Sequence, residues 1–145
     1  MHIENMKINC FTIAIMLFIL QITPILSQNV NESFHQTRLC ADIEVEVTLA
    51  SQMRADCISS THAIEIDFAY KWKEATGQAL AYAVASNLRP GIVLICERSI
   101  ASCTASSLGV QQTLSTLGIE ATLWECLPTD DQLDQCRKIE FGVTQ

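Results

Sequence analysis

The stretch MRADCISSTHAIEIDFAYKWKEATGQALAYA, residues 53–83, decides the fold of this chain. It opens with a predicted strand over 54–59, and a second strand over 63–68 follows after a short turn. Apolar residues alternate in the second strand with two acids, Glu65 and Asp67. Because successive side chains of a strand point to opposite faces, the two acids share the face that the apolar residues leave free.

The remaining elements follow on either side of this stretch. Ala, Lys, Glu and Gln favour a helix after the second strand, and a continuous apolar run further on is typical of a strand covered on both faces. The tail from Pro128 onward is assigned no element. The other predicted elements are a helix within 28–38, a strand over 43–49, a helix over 70–86, a strand over 92–96, a helix over 105–117 and a strand over 121–125.

This order of elements predicts an α/β fold. Three meandering strands followed by two helix-linked strands give a mixed β-sheet flanked by helices. The length of 145 residues suits one domain. The formal net charge of -7 argues against a protein that coats nucleic acid, which would be basic. It does not exclude a metal-dependent enzyme, because clustered carboxylates are offset by the cations they bind.

Residues 1–27 predict a signal peptide. Lys7 precedes an apolar run from Cys10 to Leu20 that is too short for a comfortable membrane span. The mature protein would begin at Gln28, form one domain over 28–145, and be periplasmic or secreted, with no membrane partner after signal removal. An uncleaved anchor is the alternative.

Six cysteines remain after Cys10 is removed with the signal, and export implies an oxidising compartment. We therefore expect at least two disulfides, with buried free thiols as the alternative. Cys96 and Cys126 both end predicted strands and are the expected pair. The sequence has no CxxC pair, which argues against a zinc site.

Asp56 and Glu65 form the feature that carries chemistry. A hairpin places their two strands side by side, so their carboxylates are able to converge. Carboxylate oxygens with open positions for water suit Mg²⁺, and such an ion activates water and neutralises charge on a phosphate. Solvated surface acids are the alternative.

The helix that follows carries a polar face. Helical spacing places Lys71, Glu74, Gln78 and Tyr82 together. Because this face begins just after the strand of Glu65, we expect it to return over the acids. An ordinary solvated helix face is the alternative.

Taken together, these residues resemble the PD-(D/E)xK nuclease superfamily, in its RecB-like branch. Gln78-Ala-Leu-Ala-Tyr82 matches the QxxxY motif of that branch, Asp56 and Glu65 match the two motif acids, and RPGIVLIC at 89–96 matches the strand that follows. The resemblance implies a restriction-endonuclease-like sheet, a nucleic acid substrate (DNA in preference to RNA), and Mg²⁺ or Mn²⁺ held by the two acids.

The chain departs from the family pattern at one important position, besides Ala55 in place of the proline before Asp56. The family's catalytic lysine would lie two residues after Glu65, where Asp67 stands. Lys71 is the expected replacement, because it shares the face of Gln78 and Tyr82, and Lys73 is the alternative. The resemblance implies that Asp67 supports the metal, and that Gln78 and Tyr82 organise the site. Candidate additional acids are Glu32 and Glu46, with surface glutamates as the alternative.

The predicted function is an exported metal-dependent nuclease. Its main alternative is a catalytically impaired nuclease-fold domain with a binding or structural role, favoured by the missing lysine and the low basicity. An exported disulfide-stabilised protein of unrelated fold is the third reading.

Overall fold

The computed structural model describes residues 31–142. The predicted signal peptide and its cleavage site before Gln28 lie outside the described residues, so they stay predictions. Within residues 31–142, no helix is both long and apolar enough to cross a membrane.

Three helices and six strands make up the described part of the chain. Short 3-10 turns at Ala69–Lys71, Ile100–Cys103 and Leu133–Gln135 connect some of them. The elements in chain order are α1 (Glu32–Leu39), β1 (Glu44–Thr48), β2 (Arg54–Ile58), β3 (His62–Phe68), α2 (Trp72–Ser86), β4 (Arg89–Ile95), α3 (Thr104–Thr116), β5 (Ala121–Cys126) and β6 (Arg137–Phe141).

All six strands lie in one sheet, in the order β1-β2-β3-β4-β5-β6. The first three form an antiparallel meander, β3, β4 and β5 are parallel, and β6 returns antiparallel to β5. Parallel neighbours need crossover connections, which α2 and α3 supply. The predicted α/β class, with a mixed sheet flanked by helices, is therefore confirmed. The finer restriction-endonuclease-like assignment stays a prediction.

The sheet is covered on both faces, which explains why β4 is apolar throughout. On one face Ile92 and Leu94 pack with residues of α2 and α3 such as Ala79 and Val110. On the other face Val93 and Ile95 pack with α1 and the C-terminal loop. Glu65 and Asp67 pair in register with Ile92 and Leu94, so the two acids face α2, as the alternation in β3 predicts.

The C-terminal tail contains a strand that the sequence analysis did not assign. β6 pairs with β5 from Ala121↔Phe141 to Glu125↔Arg137. Its sequence RKIEF holds three charged residues, because an edge strand with exposed side chains needs few apolar positions. The local pattern is therefore too polar to identify it as a strand.

The six cysteines of the described residues form three disulfides, Cys40–Cys57, Cys96–Cys103 and Cys126–Cys136. The expected Cys96–Cys126 pair is wrong. Cys126 lies beside Ile95 in the parallel register, so Cys96, one residue further along, points to the opposite face of the sheet. Their sulfurs are thus on different sides: Cys96 belongs to the core layer under α2 and α3, and Cys126 to the layer under α1.

Candidate active site

Three carboxylates converge at one end of the β2–β3 pair. The antiparallel register pairs Cys57 with Ile64, and Asp56 and Glu65, the next residues along the two strands, lie close together. Glu32, in the first turn of α1, completes the group. Carboxylate oxygens of these three acids all lie within 4.8 Å of one another. We call Glu32, Asp56 and Glu65 the acid cluster.

The regular pairing of β2 with β3 ends before Asp56. Hydrogen bonds that involve side chains take the place of the backbone hydrogen bonds there. The N–H of Ile66 donates to Oδ2 of Asp56 at 2.8 Å. The side-chain amide of Gln36 donates to the Asp56 carbonyl oxygen at 3.0 Å and to its Oδ1 at 3.3 Å. Two donors from two different elements therefore fix the direction in which the Asp56 carboxylate points.

Glu65 is the most buried member of the acid cluster. Its side chain is 2% exposed, and its Oε2 atom has no hydrogen-bond partner anywhere in residues 31–142. Burial and then the neighbouring charge of Asp56 raise the pKa of Glu65 to about 9. Without a cation, this carboxyl therefore keeps its proton at neutral pH.

Burial and neighbouring like charges also shift the pKa of Asp56. Burial raises the pKa of Asp56 to about 6, against the opposing effect of the hydrogen bond from Ile66. Glu32 adds a further like charge that raises this pKa. The acid cluster thus places like charges close together in a buried site. A bound cation would offset both the repulsion between the carboxylates and the cost of burying their charge.

Lys71 supplies the positive charge at the edge of the acid cluster. Its Nζ atom lies 3.1 Å from Oδ1 of Asp67 and 3.2 Å from Oε2 of Glu32. These two hydrogen bonds hold the pKa of Lys71 above its ordinary range. Asp67 is 3% exposed and also accepts the N–H of Phe68 at 2.7 Å.

Tyr82 of α2 lies beside Glu65, and the exposed Gln78 lies one turn before it. The Tyr82 hydroxyl donates to Oε1 of Gln78 at 3.0 Å. Tyr82 is buried against Ala55 and Ala63 of the β2–β3 hairpin. Burial and then the charge of Glu65 raise the pKa of Tyr82 well above its ordinary value, so the phenol stays protonated.

Two candidate residues lie away from the acid cluster. Glu46 adopts a left-handed backbone conformation (φ 53°) and pairs with Arg54, with 3.6 Å between Oε2 and Nη1. The Nζ atom of Lys73 lies 5.7 Å from the centre of the Trp72 ring. The structure therefore brings Lys71 rather than Lys73 to the acids, and Glu32 rather than Glu46 into the acid cluster.

Gln36 is the residue of this site that sequence reasoning missed. It is buried, at 6% exposed, and it lies one turn after Glu32 in α1. A polar residue four positions after a candidate metal ligand was the available signal.

A second group of potential ligands is not a metal site. Cys126, Asp130 and Cys136 lie together, but the two sulfurs are joined in a disulfide and offer no thiolate. The Asp130 carboxylate instead accepts the N–H of Leu127 at 2.7 Å.

No family model, curated protein or solved structure matches the chain. The acid cluster fits a divalent cation, since it offers oxygen ligands from three elements, and the buried Oε2 of Glu65 finds no donor within the described chain. Oxygen ligands of this kind, with room for waters, suit Mg²⁺ or Mn²⁺.

Proposed function

We propose that this protein is an exported, metal-dependent nuclease of the PD-(D/E)xK type that hydrolyses phosphodiester bonds of nucleic acid, DNA in preference to RNA. The observation that carries the proposal is the convergence of the three carboxylates of the acid cluster, with Glu65 buried among them and the ammonium group of Lys71 beside Glu32. A glutamate that is 2% exposed and lies beside two further carboxylates is not a solvated surface acid, and a bound cation would offset the cost of its burial.

Asp56 and Glu65 would hold Mg²⁺ or Mn²⁺, and Glu32 would complete the oxygen ligands. When bound, such an ion lowers the pKa of water and neutralises charge on the phosphate. The protein's own contribution is orientation. Gln36 and the N–H of Ile66 fix the Asp56 carboxylate.

Lys71 takes the role of the family's motif lysine. Its ammonium group lies beside two carboxylates, so it is held in place before substrate arrives. A preorganised positive charge of this kind stabilises the negative charge that builds up on the phosphate during attack. Asp67 stands at the position of the motif lysine and carries the opposite charge. Its carboxylate holds Lys71 in place, and Lys71 supplies the positive charge.

Tyr82 and Gln78 organise the α2 side of the site. The protonated Tyr82 hydroxyl remains a hydrogen-bond donor at neutral pH, and its contact with Gln78 ties two turns of α2 together over Glu65. The buried Tyr82 ring thereby shields the acid cluster from water on the α2 side.

The fold and the cysteines support the finer parts of the proposal. A β2–β3 hairpin that carries the two acids, followed by a helix and a parallel strand, is the arrangement expected of a restriction-endonuclease-like domain. Three disulfides suit an oxidising compartment, in agreement with a signal peptide over 1–27 and a periplasmic or secreted mature protein.

The test is a cleavage assay. The mature, oxidised protein is incubated with plasmid DNA, single-stranded DNA and RNA, with Mg²⁺, Mn²⁺ or a chelator. We expect metal-dependent cleavage that the chelator abolishes and that the double variant Asp56→Asn/Glu65→Gln lacks. Cleavage by that variant at the wild-type rate would assign the activity to a contaminant.

A catalytically impaired nuclease-fold domain is the second candidate. Asp67 at the lysine position and the net charge of -7 favour it. If the wild-type protein binds Mn²⁺ and yet cuts none of these nucleic acids, the binding or structural role is correct and the enzyme assignment is wrong.

A further inference from the structure

We infer that the Cys40–Cys57 disulfide and the side chain of Gln36 position Asp56 within the acid cluster, so that full metal affinity requires this cross-link. The inference rests on the metal site of the proposed function. It concerns positioning residues, because these side chains act through Asp56 and hold no substrate.

The disulfide is attached directly beside the metal-binding acid. Cys57 follows Asp56 in β2, and its pairing with Ile64 is the last regular bridge before the two strands separate. Cys40 follows the last residue of α1 and forms the cap of that helix. The cross-link therefore joins the end of α1 to the strand position next to Asp56.

One side of α1 carries three side chains that link this helix to the acid cluster. Glu32, Gln36 and Cys40 are spaced by four residues, so they follow one another along the same helix face. They contribute a carboxylate to the acid cluster, an amide donor to Asp56, and a sulfur to the disulfide. Movement of this face relative to β2 would displace both Glu32 and the donor to Asp56.

The hydrogen bonds of Arg38 in α1 do not reach Asp56. Arg38 donates from its guanidinium to Asp131 and to the carbonyl oxygens of Pro128 and Thr129. These bonds hold α1 to the C-terminal loop, not to β2. An eight-residue helix depends on tertiary contacts for its stability. Leu39 packs in the core and Glu32 pairs with Lys71, whereas the disulfide and Gln36 join α1 to β2 at Asp56 and beside it.

Loss of the Cys40–Cys57 disulfide or of the Gln36 side chain should lower the metal affinity more than it lowers the stability of the fold. Partners that orient a metal ligand without touching the metal typically contribute about 10- to 100-fold in affinity. Without Gln36, the Asp56 carboxylate loses the donor at Oδ1 and keeps the N–H of Ile66 at Oδ2, so it gains freedom to rotate away from Glu65.

Two variants test the inference. Gln36→Met removes the donor and preserves the disulfide and the side-chain length, and Cys40→Ala/Cys57→Ala removes the cross-link. The matched control is Cys96→Ala/Cys103→Ala, which removes a buried disulfide in the β4–α3 connection whose sulfurs lie by the Leu94 carbonyl. Mn²⁺ affinity is measured by calorimetry at a temperature where circular dichroism shows the variants folded.

We expect both test variants to bind Mn²⁺ about 10- to 100-fold more weakly than the wild type, and the control to retain wild-type affinity. Wild-type affinity in both test variants would overturn the inference. If the double cysteine variant does not fold, Gln36→Met decides.

A second measurement is independent of metal. Hydrogen exchange of the Ile66 amide, which donates to Asp56, is followed in the metal-free protein against the amide of Val93 in β4. Both test variants should accelerate exchange at Ile66 on the order of tenfold more than at Val93. If the wild type binds no Mn²⁺, the proposed function fails. Unchanged exchange at Ile66 in both variants would then overturn the positioning inference as well, whereas selective acceleration would support it.

Discussion

The Nζ atom of Lys71 lies 3.1 Å from Oδ1 of Asp67, four residues earlier in the chain. In the nuclease family that we propose for this chain, a lysine would occupy the position of Asp67. The ion pair thus joins Asp67, which stands where the motif lysine would be, to Lys71, which brings a positive charge to the acids. Lys71 also contacts Glu32, a member of the acid cluster. Its charge therefore lies at the edge of that cluster.

Replacement of this lysine separates catalysis from metal binding. Lys71→Ala should lower the cleavage rate on the order of 10²- to 10³-fold, because a preorganised charge beside the phosphate is lost. Mn²⁺ binding should persist, since the acid cluster is intact. Single-turnover cleavage rates and calorimetric titration measure the two effects.

The control for this prediction is Lys73→Ala, whose ammonium group lies near the Trp72 ring and whose loss should leave the rate at the wild-type level. The opposite pattern, with activity lost only in Lys73→Ala, would show that the wrong lysine has been assigned.

The acids should behave as a unit. Asp56→Ala and Glu65→Ala remove oxygen ligands, so each should lose metal binding and cleavage together. Glu46→Ala is the matched control, because Glu46 pairs with Arg54 outside the acid cluster. Electron paramagnetic resonance of added Mn²⁺ reports the bound fraction. Retention of the bound signal in Glu65→Ala would remove Glu65 from the metal site.

The stability of the metal-free protein should depend on pH through Glu65. The pKa of Glu65 is raised from 4.5 to about 9 in the folded protein. As the pH rises across this interval, the unfolded chain releases the proton and the folded protein retains it. The free energy of unfolding should therefore fall with rising pH and level off above the folded pKa.

Urea unfolding of the wild type and of Glu65→Gln across this pH range measures the effect. The glutamine variant lacks the ionisable group, so its stability should fall less steeply than that of the wild type. Added Mn²⁺ should reduce the decline, because the cation takes the place of the proton, and metal affinity should rise with pH. Parallel stability profiles for the two proteins would contradict the raised pKa of Glu65.

Two glycines offer a matched test of the helix packing. A Cβ atom at Gly109 of α3 would lie 2.7 Å from the Trp72 ring, whereas one at Gly77 of α2 would meet no described heavy atom within 4 Å beyond its own helix backbone. Gly109→Ala should cost about 1–3 kcal/mol through overpacking. Gly77→Ala should stabilise the protein by about 0.4–1 kcal/mol, through a lower entropy of the unfolded chain.

Urea titration of both glycine variants gives these values. Equal effects of the two substitutions would show that α2 and α3 are not in contact through Trp72 and Gly109.

Export has its own test. N-terminal sequencing of protein from a secreting host should give Gln28, because the apolar run before it has the length of a signal peptide. Leu17→Arg, which interrupts that run, should keep the precursor inside the cell. An intact Met1 on membrane-bound wild-type protein would show an uncleaved anchor instead.

Much of the fold was predictable because its decisive patterns are local. The alternation in β3 and the composition of α2 predict these elements, and the hairpin predicts that Asp56 and Glu65 adjoin. The cysteine pairing was not predictable, because it depends on the register between parallel strands, which sets Cys126 beside Ile95. Gln36 was missed for a similar reason. Its role depends on how α1 docks on β2, and the spacing of four residues from Glu32 does not by itself reveal that docking.

The two edge strands have a consequence for how the molecules behave at high concentration. β1 presents Glu44 and Glu46, and the left-handed backbone at Glu46 interrupts its straight edge. β6, at the other edge, carries Arg137, Lys138 and Glu140. Charged and irregular edges disfavour the addition of a strand from another molecule. We therefore expect the sheet to end at six strands even in crowded solution, without growth into fibrils.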